Sequence, residues 1–170
     1  MVSRLWPSVQ DWALALYIIV PTYCTNGAPV IFGGGRPIDL GRSLSDGERI
    51  FGDNKTLRGF ASGLIVGTIV GLVGSYLLSM NLLLVAVPAS LGALLGDLAG
   101  AFIKRRLKIK PGAPLPGLDQ LDFVLGALLL VSLFSEISYW VVLIMLFVTP
   151  PIHFLTNLGA YFLGLKSTYS

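Results

Sequence analysis

Charge is scarce in this chain. Only 12% of its 170 residues are Asp, Glu, Lys or Arg, against roughly 25% in an ordinary soluble domain. The few charges are also clustered, so long uncharged runs lie between them. With 54% hydrophobic residues and a mean hydropathy of +0.78, the chain is excluded from the soluble globular class. It reads as one polytopic membrane domain spanning residues 1–170. There is one cysteine, Cys24, so no internal disulfide can form, and within an apolar segment it reads as a small core residue. There is one histidine, His153, which leaves no two-His metal site. Neither a Ser/His/Asp nor a Cys/His set is visible, so proteolytic chemistry is a poor fit. The net charge of +3 is modest. Its bases sit in short loops and not on a face with interleaved aromatics, which speaks against a nucleic-acid partner. Gly33, Gly34 and Gly35 are not followed by the Lys-Ser/Thr of a phosphate-binding P-loop and read as a flexible exit. No basic run leads to a small-residue cleavage site, so a removable signal peptide is not expected.

What is present is a series of apolar runs. They predict an all-α integral membrane protein with five transmembrane helices, over about 11–32, 60–79, 81–103, 119–134 and 139–165. Trp6 and Trp12 before the first span suit a headgroup-level belt. Two long loops remain, 33–58 and 104–118, with five Lys or Arg each. Five spans place both loops and the C-terminus on one side. The positive-inside rule makes that side cytoplasmic and puts the N-terminus outside. The first span carries Pro21, Pro29 and a polar patch that includes Thr22, Thr25 and Asn26. Either it lines something polar, or it is a kinked helix with locally satisfied hydroxyls. Gly59, Gly63, Gly67 and Gly71 give the second span a smooth face, and Gly92, Gly96 and Gly100 do the same for the third. The expectation is that these two faces pack on each other across a tight turn at Ser79, Met80 and Asn81; a homodimer seam is the alternative.

The chemistry concentrates in 96–122, GDLAGAFIKRRLKIKPGAPLPGLDQLD. Asp97 lies inside an apolar helix, and Lys104, Arg105, Arg106, Lys108 and Lys110 follow as it ends. After a Pro/Gly-rich turn, Asp119 and Asp122 stand at i and i+3 on one face of the next helix. They could be no more than favourable charges in a helix's first turn. That reading leaves Asp97 unexplained, and an ionisable group at membrane depth is a functional-site hypothesis by default. A hard cation such as Mg²⁺ takes one or two carboxylates together with substrate phosphates. Asp97, Asp119 and Asp122 are therefore the candidate metal ligands. Lys55 and Arg58, with Asn54 and Thr56, sit at the mouth of the second span, where a helix N-terminus suits a phosphate. The set fits phosphoryl or nucleotidyl transfer. An attacking phosphate is largely ionised at neutral pH, so no general base is required. His153 and Asn157 share a helix face, and the lone His reads more readily as a hydrogen-bond partner than as a ligand.

Lys104-Arg105, a further Lys110, and Asp119-x-x-Asp122 opening an apolar helix resemble the C-terminal signature of the CDP-diglyceride synthase family. Ala101, Gln120 and the short turn before the acids differ from the bacterial members and resemble the archaeal branch, the CDP-archaeol synthases. That branch is also similar at Pro37-Ile38-Asp39, at 52–59 (GDNKTLRG), at 116–122, and at His153 with Asn157. The resemblance implies a membrane cytidylyltransferase, with its active site facing the cytoplasm. CTP and an isoprenoid ether-lipid phosphate would give CDP-archaeol and pyrophosphate, with Mg²⁺, in phospholipid biosynthesis. It implies Asp97, Lys104, Asp119 and Asp122 as catalytic residues. Lys55, Arg58, Thr56, Asn54, Arg105 and Asn26 would hold CTP and lipid phosphate. A small cation- or proton-coupled transporter using Asp97 is the competing reading.

Overall fold

The computed structural model describes residues 5–78 and 83–165. Among the described residues five helices make the fold: α1 Val9–Phe32, α2 Leu57–Leu78, α3 Leu83–Arg106, α4 Leu118–Ser132 and α5 Tyr139–Phe162. Four of them, α1, α2, α3 and α5, are long and apolar enough to cross a membrane. With 15 residues, α4 is shorter, about 22 Å at 1.5 Å per residue. Among the described residues there is no strand, only isolated bridges at Pro37–Thr56 and Ser43–Arg49 within the first loop.

The helix ends follow local chemistry. Ser8 and Asp11 form a capping box at the start of α1: the Ser8 hydroxyl accepts from the Asp11 N–H and the Asp11 carboxylate accepts from the Ser8 N–H. Asp11 also accepts from the hydroxyl of Ser138, which caps α5. One carboxylate thus ties two helix N-termini together, so α1 and α5 start at the same level and run parallel. At the start of α2, the Thr56 hydroxyl accepts from the Gly59 N–H at 3.0 Å. Three bases end α3, where the helix dipole favours cations. Beyond it the chain reverses through Lys108 at φ 57, a left-handed position usually given to glycine.

Through Pro21 and Pro29, α1 stays helical. Its polar patch is divided: the Thr22 hydroxyl donates to the Ile18 carbonyl one turn back, and the Tyr23 hydroxyl donates across the bundle to Thr149. Asn26 alone of that patch lines the cavity described below. The core gathers Ile18, Phe123, Val124, Val131, Val141 and Met145, all fully buried.

The glycine stripes have other partners than the sequence suggested. On α2, Gly59 and Gly63 lie against Pro29 and Thr25 of α1, while Gly67 and Gly71 also meet Ser90 and Ala86 of α3. The α3 stripe does not face α2. A Cβ on Gly92, Gly96 or Gly100 would collide with Gly126, Ala127 or Asp122 of α4. The reason is that α3 has two smooth faces, Ala86 with Ser90 and Gly92-Gly96-Gly100, whose centres lie about 100° apart around the helix at 100° per residue. Both stripes are consumed inside one chain. The Ser79-Met80-Asn81 turn lies outside the described residues.

Candidate functional site

Close packing of α3 on α4 sets the positions of the acids. Because Gly96 and Gly100 present no side chain, the first turns of α4 approach the α3 backbone closely enough for the Asp122 carboxylate to occupy the space over Gly100. Asp97, on the neighbouring face of α3, lines the same cavity as Asp119 and Asp122. Its volume is about 550 Å³, and its remaining wall comes from the first loop, the start of α2, α1 near Asn26, and α5.

Two of the three acids are already paired with lysines far away in sequence. Lys55 Nζ meets both oxygens of Asp97, at 2.7 and 2.6 Å. Lys104 Nζ meets both oxygens of Asp119 at 2.9 Å. Asp119 also accepts from the Leu115 N–H, fixing the turn before α4. Asp122 has no ion pair among the described residues, and its Oδ1 accepts from the N–H of Phe123. As the side chains stand, no three His, Cys, Asp or Glu among the described residues surround one point closely enough to ligate an ion. The lysines occupy the approaches to two of the carboxylates.

Arg105, expected among the substrate-holding residues, does reach the cavity; its burial was not foreseen. It is only 5% exposed, lines the cavity and has a buried Nε without a hydrogen-bond partner. No carboxylate among the described residues pairs with it. A buried charge without compensation is strongly unfavourable, so this side chain is set up for an anion. Asn54, Lys55 and Thr56 also line the cavity. Arg58 does not: it is exposed, and its guanidinium is not brought to the site with the others. His153 and Asn157 of α5 contribute to the wall, with Asn157 Nδ2 3.3 Å from His153 Nδ1. Sequence reasoning put the two on one helix face and read His153 as a hydrogen-bond partner, but it gave neither a place in the site.

The first loop is not a loose solvated segment. The Asp39 side chain is fully buried. It accepts from the backbone N–H groups of Gly41, Phe51 and Gly52 and from Arg49. Burial alone would raise the Asp39 carboxyl; these donors outweigh it and hold it well below the usual carboxylate range. Arg49 bridges on to Asp53 at 2.6 Å. From the end of α3, Arg106 pairs with Asp46, donates to the carbonyls of Glu48 and Arg49, and lies over the Phe102 ring. The loop is thereby fastened over Arg105, with Gly52 against its aliphatic stem.

The chain is similar to known proteins over most of its length. A family model described as CarS-like, CDP-archaeol synthase, matches residues 12–169. The chain is 48% identical over 158 residues to a CDP-archaeol synthase of Pyrococcus furiosus, covering 90% of this chain and 95% of the relative. It is 44% identical to one of Thermofilum pendens, covering 98% and 84%, and 40% identical to one of Methanocaldococcus jannaschii, covering 91% and 95%. A solved structure of an intramembrane enzyme for archaeal membrane lipids biosynthesis superposes with a TM-score of 0.80 at 38% identity, covering 85% of this chain and 92% of the other.

Proposed function

The chain belongs to the CDP-archaeol synthase family, and on that premise we propose that it transfers CMP from CTP to an isoprenoid ether-lipid phosphate, releasing pyrophosphate, with Mg²⁺. It is a CTP-dependent cytidylyltransferase of membrane lipid synthesis, so transport through Asp97 is set aside. The observation that carries the finer reading is the meeting of Asp97, Asp119 and Asp122 with Lys55, Lys104 and Arg105 on one cavity. In topology we propose five crossings in a single domain, with α4 as the short one. The N-terminus lies outside, and the loops over 33–58 and 104–118 lie on the cytoplasmic side of the cell membrane, where CTP is available.

In the reaction, an oxygen of the lipid phosphate attacks the α-phosphorus of CTP. The bond to the bridging oxygen of the β-phosphate breaks, and pyrophosphate leaves with that electron pair. No proton has to be removed from the attacking phosphate. Lys55 and Lys104 each exchange a carboxylate for phosphate oxygens, and Arg105 receives an anion where it now has none. Asn54, Thr56 and Asn26 orient the nucleotide along the loop side of the cavity; Arg58, exposed outside it, has no contact in this scheme.

The donor set fits Mg²⁺. The carboxylates are hard oxygen ligands, and a shell completed by phosphates and water needs only one or two of them. Asp122, which has no ion pair among the described residues, would hold the ion together with Asp97 and Asp119, whose lysines would turn to phosphate. When bound, the ion supplies charge neutralisation of the phosphates.

The test is purified protein with labelled CTP and the lipid phosphate. CDP-lipid and pyrophosphate should appear in equal amounts and only with divalent metal. Absence of any CDP-lipid, or formation of CMP in place of pyrophosphate, would overturn the reading.

A further inference from the structure

Three bases end α3, and the reaction uses two of them. Lys104 and Arg105 line the cavity; Arg106 does not. One residue further round the helix, Arg106 lies over the Phe102 ring, with Cζ 5.2 Å from its centroid, and reaches the first loop. Its Nη1 pairs with the Asp46 carboxylate, and its Nη2 donates to the carbonyls of Glu48 and Arg49. A guanidinium is a rigid fork that serves several acceptors at once. Here those acceptors all belong to one short stretch of chain.

That stretch is a small hairpin. Ser43 and Arg49 form a bridge, and the Ile50 N–H donates to the Arg42 carbonyl at 3.2 Å. The tip closes where the Gly47 N–H donates to the Leu44 carbonyl at 3.0 Å, with Gly47 at φ 81. From the hairpin a chain of contacts runs inward. Arg49 pairs with Asp39, and Asp39 accepts from the N–H groups of Phe51 and Gly52. Phe51 and Gly52 line the cavity, with Gly52 against the stem of Arg105. Among the described residues, two ion pairs tie this loop to α3: Arg106–Asp46 and Lys55–Asp97. In the proposed reaction Lys55 lets go of Asp97 to take phosphate. Arg106 is then the ion pair that still holds the loop.

We propose that Arg106 is a positioning residue for the nucleotide: it clasps the hairpin to the end of α3, so that the cavity rim at 51–54 keeps its place beside Arg105 while Lys55 turns to CTP. This rests on the cytidylyltransferase reading. Without the clasp, CTP itself has to order the loop, and its affinity falls by that cost. The lipid phosphate is not held by the loop and should be indifferent to the clasp.

The experiment compares the full chain in nanodiscs as wild type, Arg106→Gln, Asp46→Asn and the double variant. Asp46 is exposed, so its replacement keeps the fold if Arg106→Gln melts early. Titration with CTP in the absence of lipid phosphate should give a Kd raised about tenfold in Arg106→Gln and about threefold in Asp46→Asn. The double variant should be no weaker than Arg106→Gln, because both changes break one contact. In turnover the KM for CTP should rise alike, with kcat and the KM for lipid phosphate within about twofold; a smaller folded fraction would instead lower kcat and leave KM alone. Lys108→Asn removes the same charge two residues on, at a left-handed position that asparagine tolerates, and should bind CTP like wild type. An unchanged Kd in both single variants, multiplying losses in the double, or an equal loss in Lys108→Asn would overturn the clasp. CTP binding that depends on Arg106 in a protein that forms no CDP-lipid would sink the catalytic reading and leave the clasp standing; wild type that binds no CTP would sink both.

Discussion

Gly100→Ala adds one methyl group in the tightest part of the α3–α4 contact. The new Cβ would fall 2.0 Å from Asp122 Oδ2, 2.8 Å from its Cγ and 3.0 Å from its Cβ. Ordinary contacts between carbon atoms begin near ~3.5 Å. The obstacle is a side chain, so Asp122 can answer by turning its carboxylate away by roughly 1 Å or more, and a misplacement of that size costs on the order of 10²-fold in rate. That corresponds to about 2.7 kcal/mol of barrier. Stability should change little, because alanine is about 1 kcal/mol better than glycine inside a helix and offsets part of the crowding. Gly96→Ala supplies the contrast. Its Cβ would stand 2.1 Å from the Asp122 backbone oxygen, which cannot rotate out of the way. The helices must separate, at a cost of about 1–3 kcal/mol. Initial rates of CDP-lipid formation and melting in the same detergent should give Gly100→Ala a near-normal melting point with about one hundredth of the rate. Gly96→Ala should melt lower. A Gly100→Ala enzyme with wild-type turnover would show that the position of Asp122 is irrelevant to the reaction.

Asp97→Asn and Asp122→Asn should each lose turnover by at least about 10³-fold while purifying and melting like wild type; rates near normal in either would remove it from the ligand set. Chelation with EDTA should stop the reaction, and Mg²⁺ should restore it. Asp39, whose carboxyl is held below its ordinary range, adds stability to the first loop that is fully present above the unfolded pKa near ~3.9 and lost as pH falls through the folded value. Protease cleavage within 40–54 should therefore increase below about pH 4, and Asp39→Asn should already cleave faster at neutral pH, with a raised KM for CTP. Gly67→Ala, whose Cβ would lie 1.7 Å from Thr25 Oγ1 and 3.0 Å from the Pro21 carbonyl, should lower the melting temperature through an overpacking cost of about 1–3 kcal/mol.

Helix positions were legible because a run of apolar residues is a one-dimensional signal. The bases from Lys104 onward and the Pro/Gly-rich turn after them announced the end of α3, and the span expected from 139 begins where α5 does. Contacts between helices were not legible. A four-residue glycine period says that a face is smooth and not what covers it, so the α3 stripe was given to α2 when it belongs to α4. The acids on α3 and α4 came out in one place because each had a helix to carry it. Lys55, 42 residues from Asp97 in sequence, could be placed near a phosphate but not against that carboxylate. In the first loop, the mixture of signs read as charges solvated or paired with one another, and Arg49 does pair with Asp39 and Asp53, but the burial was not legible. Burial of Asp39 depends on three backbone N–H groups converging on it, which composition does not encode. Arg58 illustrates the converse: its motif is adjacent to the site, yet one turn of helix carries its side chain outward.

The tie between Asp11 and Ser138 has a mechanical corollary. α5 is anchored at its origin by that carboxylate and again at mid-length, where Tyr23 grips the Thr149 carbonyl. Directly past the second anchor, Pro150 and Pro151 supply no N–H to the preceding turn. The remaining stretch to Phe162, about 18 Å at 1.5 Å per residue, rests on the bundle through His153, whose ring lies 5.9 Å from that of Phe123, and through the buried Asn157. A few degrees of flexing at the prolines would move its tip by one or two ångströms, on the order of a methyl group's width. The wall that His153 and Asn157 lend to the polar cavity can then shift while the half of α5 before Thr149, with Val141 and Met145 in the core, keeps its packing.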